Sequence, residues 1–151
     1  ISQLTQKTSQ FNLTTRRYTV EEIESFAESK DYQVIVINLS DKFGDSGLTG
    51  MAIVDKKDSE SWRIDTFLLS CRILGRKAED VLIAYILECA KKEGAKSISG
   101  DFIPTKRNIP AKDFYGNCGF TKIHYVEDVE IWKFEVSNSF DFPDFINYEV
   151  L

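Results

Sequence analysis

The chain has 151 residues, of which 42% are hydrophobic and 28% charged, a composition typical of one soluble globular domain. No apolar run approaches the roughly 20 residues that a membrane-spanning helix needs, so we expect no membrane insertion. The net charge of −5 is spread along the chain without a long basic tract, which argues against nucleic-acid binding.

The cysteines and the histidine give no indication of a metal site. Cys71, Cys89 and Cys118 are odd in number and lack Cys-x-x-Cys spacing, which argues against a disulfide framework and against zinc. We therefore expect a reducing, cytoplasmic setting. The sole histidine, His124, alternates with apolar neighbours on a predicted strand, and a structural role is favoured over metal binding because it lacks convergent partners.

The first half of the chain predicts one helix among strands. Residues 11–18 are rich in Thr and aromatic side chains and predict a first strand, and Thr19-x-x-Glu22 forms a capping box for a helix that ends near Ser29. Three β-branched or aromatic runs at 33–39, 47–54 and 62–71 predict antiparallel strands. Polar turns are expected at 41–46 and 55–61.

The second half contains the clearest periodicity. Gly94, preceded by Lys91 and Lys92, is predicted to end a long amphipathic helix whose apolar face consists of Ala78, Val81, Leu82, Tyr85, Ile86 and Cys89. Beyond it we expect a strand at 96–103, a loop at 104–108, a short helix at 111–117, and strands at 120–126 and 129–136. The chain is interpreted as one α/β domain over 1–151, with its core at about 11–136 and an irregular tail at 137–151.

The segment at 72–77, Arg-Ile-Leu-Gly-Arg-Lys, joins a predicted strand to the long helix. Free backbone amides at such a helix start can bind a phosphate. Arg76 and Lys77 lie where the helix dipole disfavours cations by ~0.3–1 kcal/mol each, so an anionic group nearby would explain them. Glu79 and Asp80 could be that group, and an anion site and a solvated helix start both remain open.

A second motif follows the next strand and reads Asn108-x-x-Ala111-x-x-Phe114-Tyr115-x-x-x-Gly119-Phe120. With the segment at 72–77, this order of parts resembles the GNAT superfamily. The resemblance implies an acyl-CoA N-acyltransferase-like fold, a mixed and mostly antiparallel central sheet flanked by helices. It also implies that the second motif, including Phe114, lines the thioester of a bound coenzyme A.

The resemblance to GNAT proteins implies roles for individual residues. In the cleft between the fourth and fifth strands, Asn108 would orient the pantetheine arm and Tyr115 would be the general acid for the leaving sulfur. The alternative for Tyr115 is a packed helix end with a left-handed glycine cap. The coenzyme A pyrophosphate would be held by Arg72, Gly75 and the amides of Arg76, Lys77 and Ala78.

Two residues near the predicted pyrophosphate loop leave alternatives. Lys77 stands where the family has a small residue, so either its side chain adds a phosphate contact or tight coenzyme A binding has been lost. Cys71 is predicted to belong to the cofactor-binding site. It would serve there as an acyl acceptor, because the neighbouring Arg72 favours the thiolate. A core position on its strand is the favoured alternative.

Four stretches also resemble the C-terminal domain of FkbH-type proteins: residues 1–8, 11–18, 67–72 and 104–108. That resemblance implies an upstream HAD-like phosphatase domain in a longer protein. It also implies an acyl carrier protein partner, whose phosphopantetheine thiol receives a glycerate-derived unit and so becomes a thioester on the way to methoxymalonyl extender units. A carrier's arm would need less of the pyrophosphate loop than coenzyme A or acetyl-CoA does.

Arg16 and Arg17 are candidate docking charges for an acidic carrier protein, with a solvated turn as the alternative. Three functions remain open at this point. The domain is an acyltransferase, a non-catalytic docking module for the carrier, or a stand-alone acetyl-CoA-dependent N-acetyltransferase.

Overall fold

The computed structural model describes residues 11–14, 16–41, 44–69 and 78–137. The strands in these ranges are β1 (Phe11–Asn12), β2 (Tyr32–Asp41), β3 (Gly44–Asp55), β4 (Ser61–Leu69), β5 (Ser97–Phe102), β6 (Thr121–Val126) and β7 (Val129–Glu135). The helices are α1 (Val20–Glu28), α2 (Ala78–Lys92) and α3 (Phe114–Asn117), with a 3₁₀ turn at Ile109–Ala111.

These strands form one sheet in the order β2-β3-β4-β5-β7-β6, with β1 paired to β4. All neighbours are antiparallel except β4 and β5, which pair in parallel from Ser61 and Ser97 to Ile64 and Gly100. A parallel pair requires a crossover, and α2 lies in the connection between these two strands. The predicted mixed, mostly antiparallel sheet flanked by helices is confirmed.

The helix α1 begins where the capping box predicts. The Thr19 hydroxyl accepts a hydrogen bond from the Glu22 amide at 3.2 Å, which satisfies one of the free amides of the first turn. On its buried face, Ile23 packs with Met51, Ile53 and Leu68.

The long helix predicted from its apolar face is also confirmed. It ends before Gly94, whose φ of +83° is left-handed, and the Ala95 amide donates to the Ala90 carbonyl at 2.9 Å. The apolar face of α2 joins a cluster that contains Ala52 and Val54 of β3, whereas the alternate residues of β3 pack with α1. The two helices therefore cover opposite faces of the sheet.

Several predicted boundaries are wrong. The strand expected at 11–18 ends at Asn12, because the chain bends at Leu13 and Thr14, and residues 16–19 belong to no helix or strand. The turn expected at 41–46 is shorter, since β3 already begins at Gly44. The helix expected at 111–117 is divided into the 3₁₀ turn and α3.

His124 lies on a strand, as expected, between Ile123 and Tyr125. All residues of β6 are exposed, including Ile123 and Tyr125. β6 is the last strand in the sheet order, so among the described residues it has a neighbouring strand on one side only. His124 therefore lies on an exposed edge strand and is not a core residue. The predicted tail at 138–151 lies outside the described residues.

Candidate functional site

The site forms where β4 and β5 stop pairing. Their parallel ladder ends at Ile64 and Gly100, and the two strands then run on to Leu69 and Phe102 without pairing to each other. We call this opening, between residues 65–69 of β4 and 101–103 at the end of β5, the fork. It corresponds to the cleft in which the resemblance places a thioester.

The fork is filled by the chain itself. Asn12 and Leu68 are register partners, and the Leu13 amide donates to the Phe67 carbonyl at 3.0 Å. The carbonyl of Leu13 accepts from the Ile103 amide at 2.8 Å, so this one residue bonds to both sides of the fork. Residues 12–14, called the plug below, are all buried.

Asn108 holds the plug in place. Its side-chain nitrogen donates to the carbonyls of Asn12 at 3.0 Å and Ile103 at 2.8 Å, and its side-chain oxygen accepts from the Thr105 amide at 2.7 Å. The residue is fully buried, as a polar side chain with its hydrogen bonds satisfied can be. The predicted orienter of a pantetheine arm here orients a segment of its own chain.

Tyr115 is buried beside the fork with its ring on Gly100. A Cβ atom at Gly100 would lie 2.5 Å from the Tyr115 hydroxyl oxygen, which leaves glycine as the residue that fits. The side chain is 2% exposed, and its hydroxyl has no hydrogen-bond partner among the described residues. Burial, with a smaller contribution from Asp101, raises its pKa well above the usual range. The hydroxyl is therefore a protonated donor without an acceptor in the part of the chain that the structure describes.

The aromatic packing around Tyr115 matches the structural alternative. Centroids of neighbouring rings lie 4.8–5.5 Å apart along a row formed by Phe67, Phe114, Tyr115, Phe120 and Phe134. Gly119 has a left-handed φ of +91°, and the Phe120 amide donates to the Tyr115 carbonyl at 3.0 Å. Tyr115 is thus a core residue with a buried hydroxyl, and its catalytic role stays a prediction.

An ionic cluster at the fork was missed by sequence reasoning. Arg16 donates to the Asp65 carboxylate at 3.1 Å and to Asp101 at 3.3 Å, and so connects β4 to β5. Asp101 also accepts from Arg63, and Asp65 accepts from the Tyr18 hydroxyl at 2.6 Å. We call Arg16, Tyr18, Arg63, Asp65 and Asp101 the clamp.

The clamp is partly buried, which strengthens its interactions. Burial, and then the bond to Asp65, raises the pKa of Tyr18 to about 12. The bond to Asp101 raises the pKa of Arg63. A sequence signal existed, because Arg63 and Asp65 occupy alternate positions between the buried residues Trp62, Ile64 and Thr66, and charges beside such strand positions usually require partners.

Arg16 and Arg17 differ in their surroundings. Arg16 is 28% exposed and paired within the chain, so the solvated-turn alternative is wrong for it. Arg17 is exposed.

The structure does not describe the predicted pyrophosphate loop. Cys71, Arg72, Gly75, Arg76 and Lys77 lie outside the described residues, and Ala78 is described only as the first residue of α2. The predicted roles of these residues therefore stay predictions.

A coenzyme A or phosphopantetheine arm does not fit the fork in this arrangement. Leu13 is already hydrogen-bonded to the Phe67 carbonyl and the Ile103 amide, and the Asn108 side chain already donates to the Asn12 carbonyl of the plug. In the described ranges no three His, Cys, Asp or Glu side chains are placed to hold a metal ion. None of the described helices is long and apolar enough to cross a membrane.

Comparisons with known proteins concern the fold. No protein-family model and no curated protein sequence matches the chain. Among solved structures, Ard1 from Thermoplasma volcanium aligns with a TM-score of 0.70 at 16% identity, over 91% of this chain and 90% of its own. The ribosomal-protein-S18-alanine N-acetyltransferase from Escherichia coli aligns with a TM-score of 0.65 at 11% identity, over 97% and 90%.

An aminoglycoside 6'-N-acetyltransferase solved with coenzyme A aligns with a TM-score of 0.62 at 12% identity, over 80% of this chain and 81% of its own. Identities this low establish a common architecture and not a common activity. An acetyltransferase of the GNAT family from Desulfovibrio desulfuricans aligns with a TM-score of 0.65 at 14% identity, over 80% of this chain and 84% of its own. With the order of strands and the α2 crossover, this likeness shows that the chain has the fold of the GNAT acetyltransferases.

Proposed function

We propose that this chain is the GNAT-like domain of an FkbH-type enzyme and that it acts with the phosphopantetheine thioester of an acyl carrier protein. The unit handled would be glycerate-derived, destined for methoxymalonyl-ACP, and a HAD-like domain of the same protein would supply it. The cytoplasm is the proposed setting.

One observation carries this proposal: three stretches that resemble FkbH-type proteins meet at the fork. The Leu13 amide, in the stretch at 11–18, donates to the Phe67 carbonyl, in the stretch at 67–72. The Asn108 side chain, at the end of the stretch at 104–108, donates to the Asn12 carbonyl. Residues far apart in the chain are thus assembled in the region where a GNAT fold handles its thioester. This assembly supports one functional site common to the three stretches over three chance resemblances to FkbH-type proteins.

Tyr115 fits the acid role in its chemistry. A leaving sulfur benefits from a positioned proton donor, and a tyrosine hydroxyl is protonated at neutral pH even without burial. The raised pKa makes this proton harder to release, so the support comes from the position of the hydroxyl beside the fork and not from its pKa. Because the hydroxyl lacks a hydrogen-bond partner among the described residues, no protein acceptor competes for its proton.

Two other functions each have an observation in their favour. A filled fork favours a non-catalytic module that only docks the carrier protein. The N-acetyltransferase names of two similar structures, one of them solved with coenzyme A, favour an acetyl-CoA-dependent N-acetyltransferase.

The substitution Tyr115→Phe separates catalysis from docking. In the full-length protein it is expected to slow loading of the glycerate-derived unit onto the carrier thiol by ~10²–10⁴-fold, as for loss of the group that exchanges a proton with the reacting sulfur. The fold is expected to be unaffected, because the hydroxyl makes no hydrogen bond to the described residues. Thermal unfolding verifies that point, and Tyr125→Phe on the exposed strand β6 is the matched control. An unchanged rate removes the acid role and leaves docking.

Binding experiments separate the remaining functions. Titration with holo and apo carrier protein distinguishes an arm-binding domain, which prefers the holo form, from a docking surface that binds both alike. Acetyl transfer from acetyl-CoA to a primary amine, in the absence of any carrier, would favour the N-acetyltransferase.

A further inference from the structure

We infer that the plug, residues 12–14, is an internal occupant of the fork and must leave before a thioester arm can enter. This inference depends on the proposed function only in naming the arm. It is independent of which acyl group is transferred.

The plug occupies the hydrogen-bond donors and acceptors of the fork that a phosphopantetheine arm would need. Inside the fork, the Phe67 carbonyl accepts from the Leu13 amide, the Ile103 amide donates to the Leu13 carbonyl, and Asn108 donates to the Asn12 carbonyl. A phosphopantetheine arm carries two amide groups, which offer the same donors and acceptors as the peptide groups of the plug. Arm and plug therefore compete for the same partners, and simultaneous binding is excluded.

The plug is built to open as a unit. Of the described residues of the plug, only Asn12 belongs to the ladder with β4, and the chain bends away from that ladder at Leu13 and Thr14. Segments at the end of a ladder open at a lower free energy than the sheet itself. Opening leaves the Phe67 carbonyl, the Ile103 amide and the Asn108 side chain available to an incoming arm.

Arg16 restrains the chain next to the plug, in addition to the bond that Asn108 makes to the plug itself. It follows the plug in sequence, and its guanidinium bonds to Asp65 on one side of the fork and Asp101 on the other. It is also the more exposed partner, at 28% against 15% and 5% for the two carboxylates. Release of this guanidinium frees the chain next to the plug.

A closed plug lowers the apparent affinity for the arm. The apparent dissociation constant is the intrinsic value divided by the fraction of molecules that are open. Any contact that stabilises the plug therefore weakens arm binding by the same factor, and any change that frees it strengthens binding.

A reversible disulfide provides the test. Leu13 and Phe67 form a hydrogen-bonded pair, so the adjacent pair of Asn12 and Leu68 is the non-hydrogen-bonded type, with Cα atoms about 4.5 Å apart. This separation lies within the ~4.4–6.8 Å that a disulfide spans. The double substitution Asn12→Cys and Leu68→Cys should therefore lock the plug when oxidised.

Phosphopantetheine itself is the binding probe, measured by calorimetry with oxidised and reduced protein. We expect binding to the reduced form and at least ~10-fold weaker binding to the oxidised form. Reductant should leave the wild-type affinity unchanged. Equal affinity of the two forms overturns the inference.

Hydrogen exchange tests the plug without any ligand. The Leu13 amide is expected to exchange faster than the Ile98 amide in the middle of β5, and to slow when the disulfide forms. Exchange of Leu13 as slow as that of Ile98 in the reduced protein overturns the inference. If neither redox form binds phosphopantetheine while Leu13 exchanges rapidly, the proposed function fails and the mobile plug stands.

A second variant covers the case in which the double cysteine protein does not fold. Arg16→Gln removes the link across the fork and is expected to tighten phosphopantetheine binding about 10-fold and to speed Leu13 exchange. Lys30→Gln makes the same charge change at an exposed position away from the fork and should do neither. Identical behaviour of these two variants contradicts the assigned role of Arg16.

Discussion

Replacing Gly100 with alanine tests how Tyr115 is seated beside the fork. Gly100 lies in β5, paired to Ile64 of β4 on one side and to Trp132 of β7 on the other. Its backbone therefore has little freedom to move. The new methyl carbon would lie 2.5 Å from the Tyr115 hydroxyl oxygen, closer than real contacts allow.

The tyrosine has to move to relieve this contact, and its neighbours limit that movement. Its ring is packed between Phe114 and Phe120, with centroid distances of 5.5 and 4.9 Å. Overpacking of a filled core costs about 1–3 kcal/mol. With a urea dependence of about 1–3 kcal/mol per M for a small domain, the unfolding midpoint should fall by roughly 1 M.

Urea unfolding followed by tryptophan fluorescence measures this change. Gly116→Ala is the matched control, because its methyl carbon would lie 3.5 Å from the Trp132 ring, an ordinary contact. The control should be neutral or gain up to ~1 kcal/mol from helix propensity. In a Tyr115→Leu background, Gly100→Ala should cost less, because the clashing ring is gone. An equal cost in both backgrounds, or none in the wild type, would refute this seating of Tyr115.

Two further predictions concern buried groups. Cys118 is buried, and burial raises its pKa to about 12, so iodoacetamide at a pH of about 8 should label the partly exposed Cys89 well before it; equal labelling in peptide mass mapping would contradict this. Asp101→Asn leaves two partly exposed guanidinium groups without their shared carboxylate and should lower the free energy of unfolding by about 1–3 kcal/mol. The exposed control Asp113→Asn should change it by less than about 0.5 kcal/mol, and equal effects in urea unfolding would argue against the clamp.

Features encoded by neighbouring residues were predictable. The cap of α1 depends on Thr19 and Glu22, three residues apart, and the helix α2 follows from apolar spacing that ends at Gly94. Strand boundaries were predicted less well, because a ladder can extend into polar residues when its partner strand continues, as β3 does back to Gly44.

The composition of the candidate site was only partly predictable. Asn108 and Tyr115 were singled out from their motif, and both lie at the fork. Asp65 and Asp101 were not, because their pairing with Arg16 joins residues separated by 49 and 85 positions. Local patterns contain no information on such distances.

The linear order of residues was sufficient for the helices and most strands, because caps, periodicity and turns act within a few positions. The GNAT-like architecture followed from the resemblance of two motifs to a known family. Folding decided what occupies the fork. The expected first strand gave way to the plug, because the Asn12 carbonyl meets Asn108, 96 positions away, and Leu13 bonds to both sides of the opening. Those contacts exist only once β4, β5 and the loop after β5 have come together, and they determine whether a thioester arm can enter.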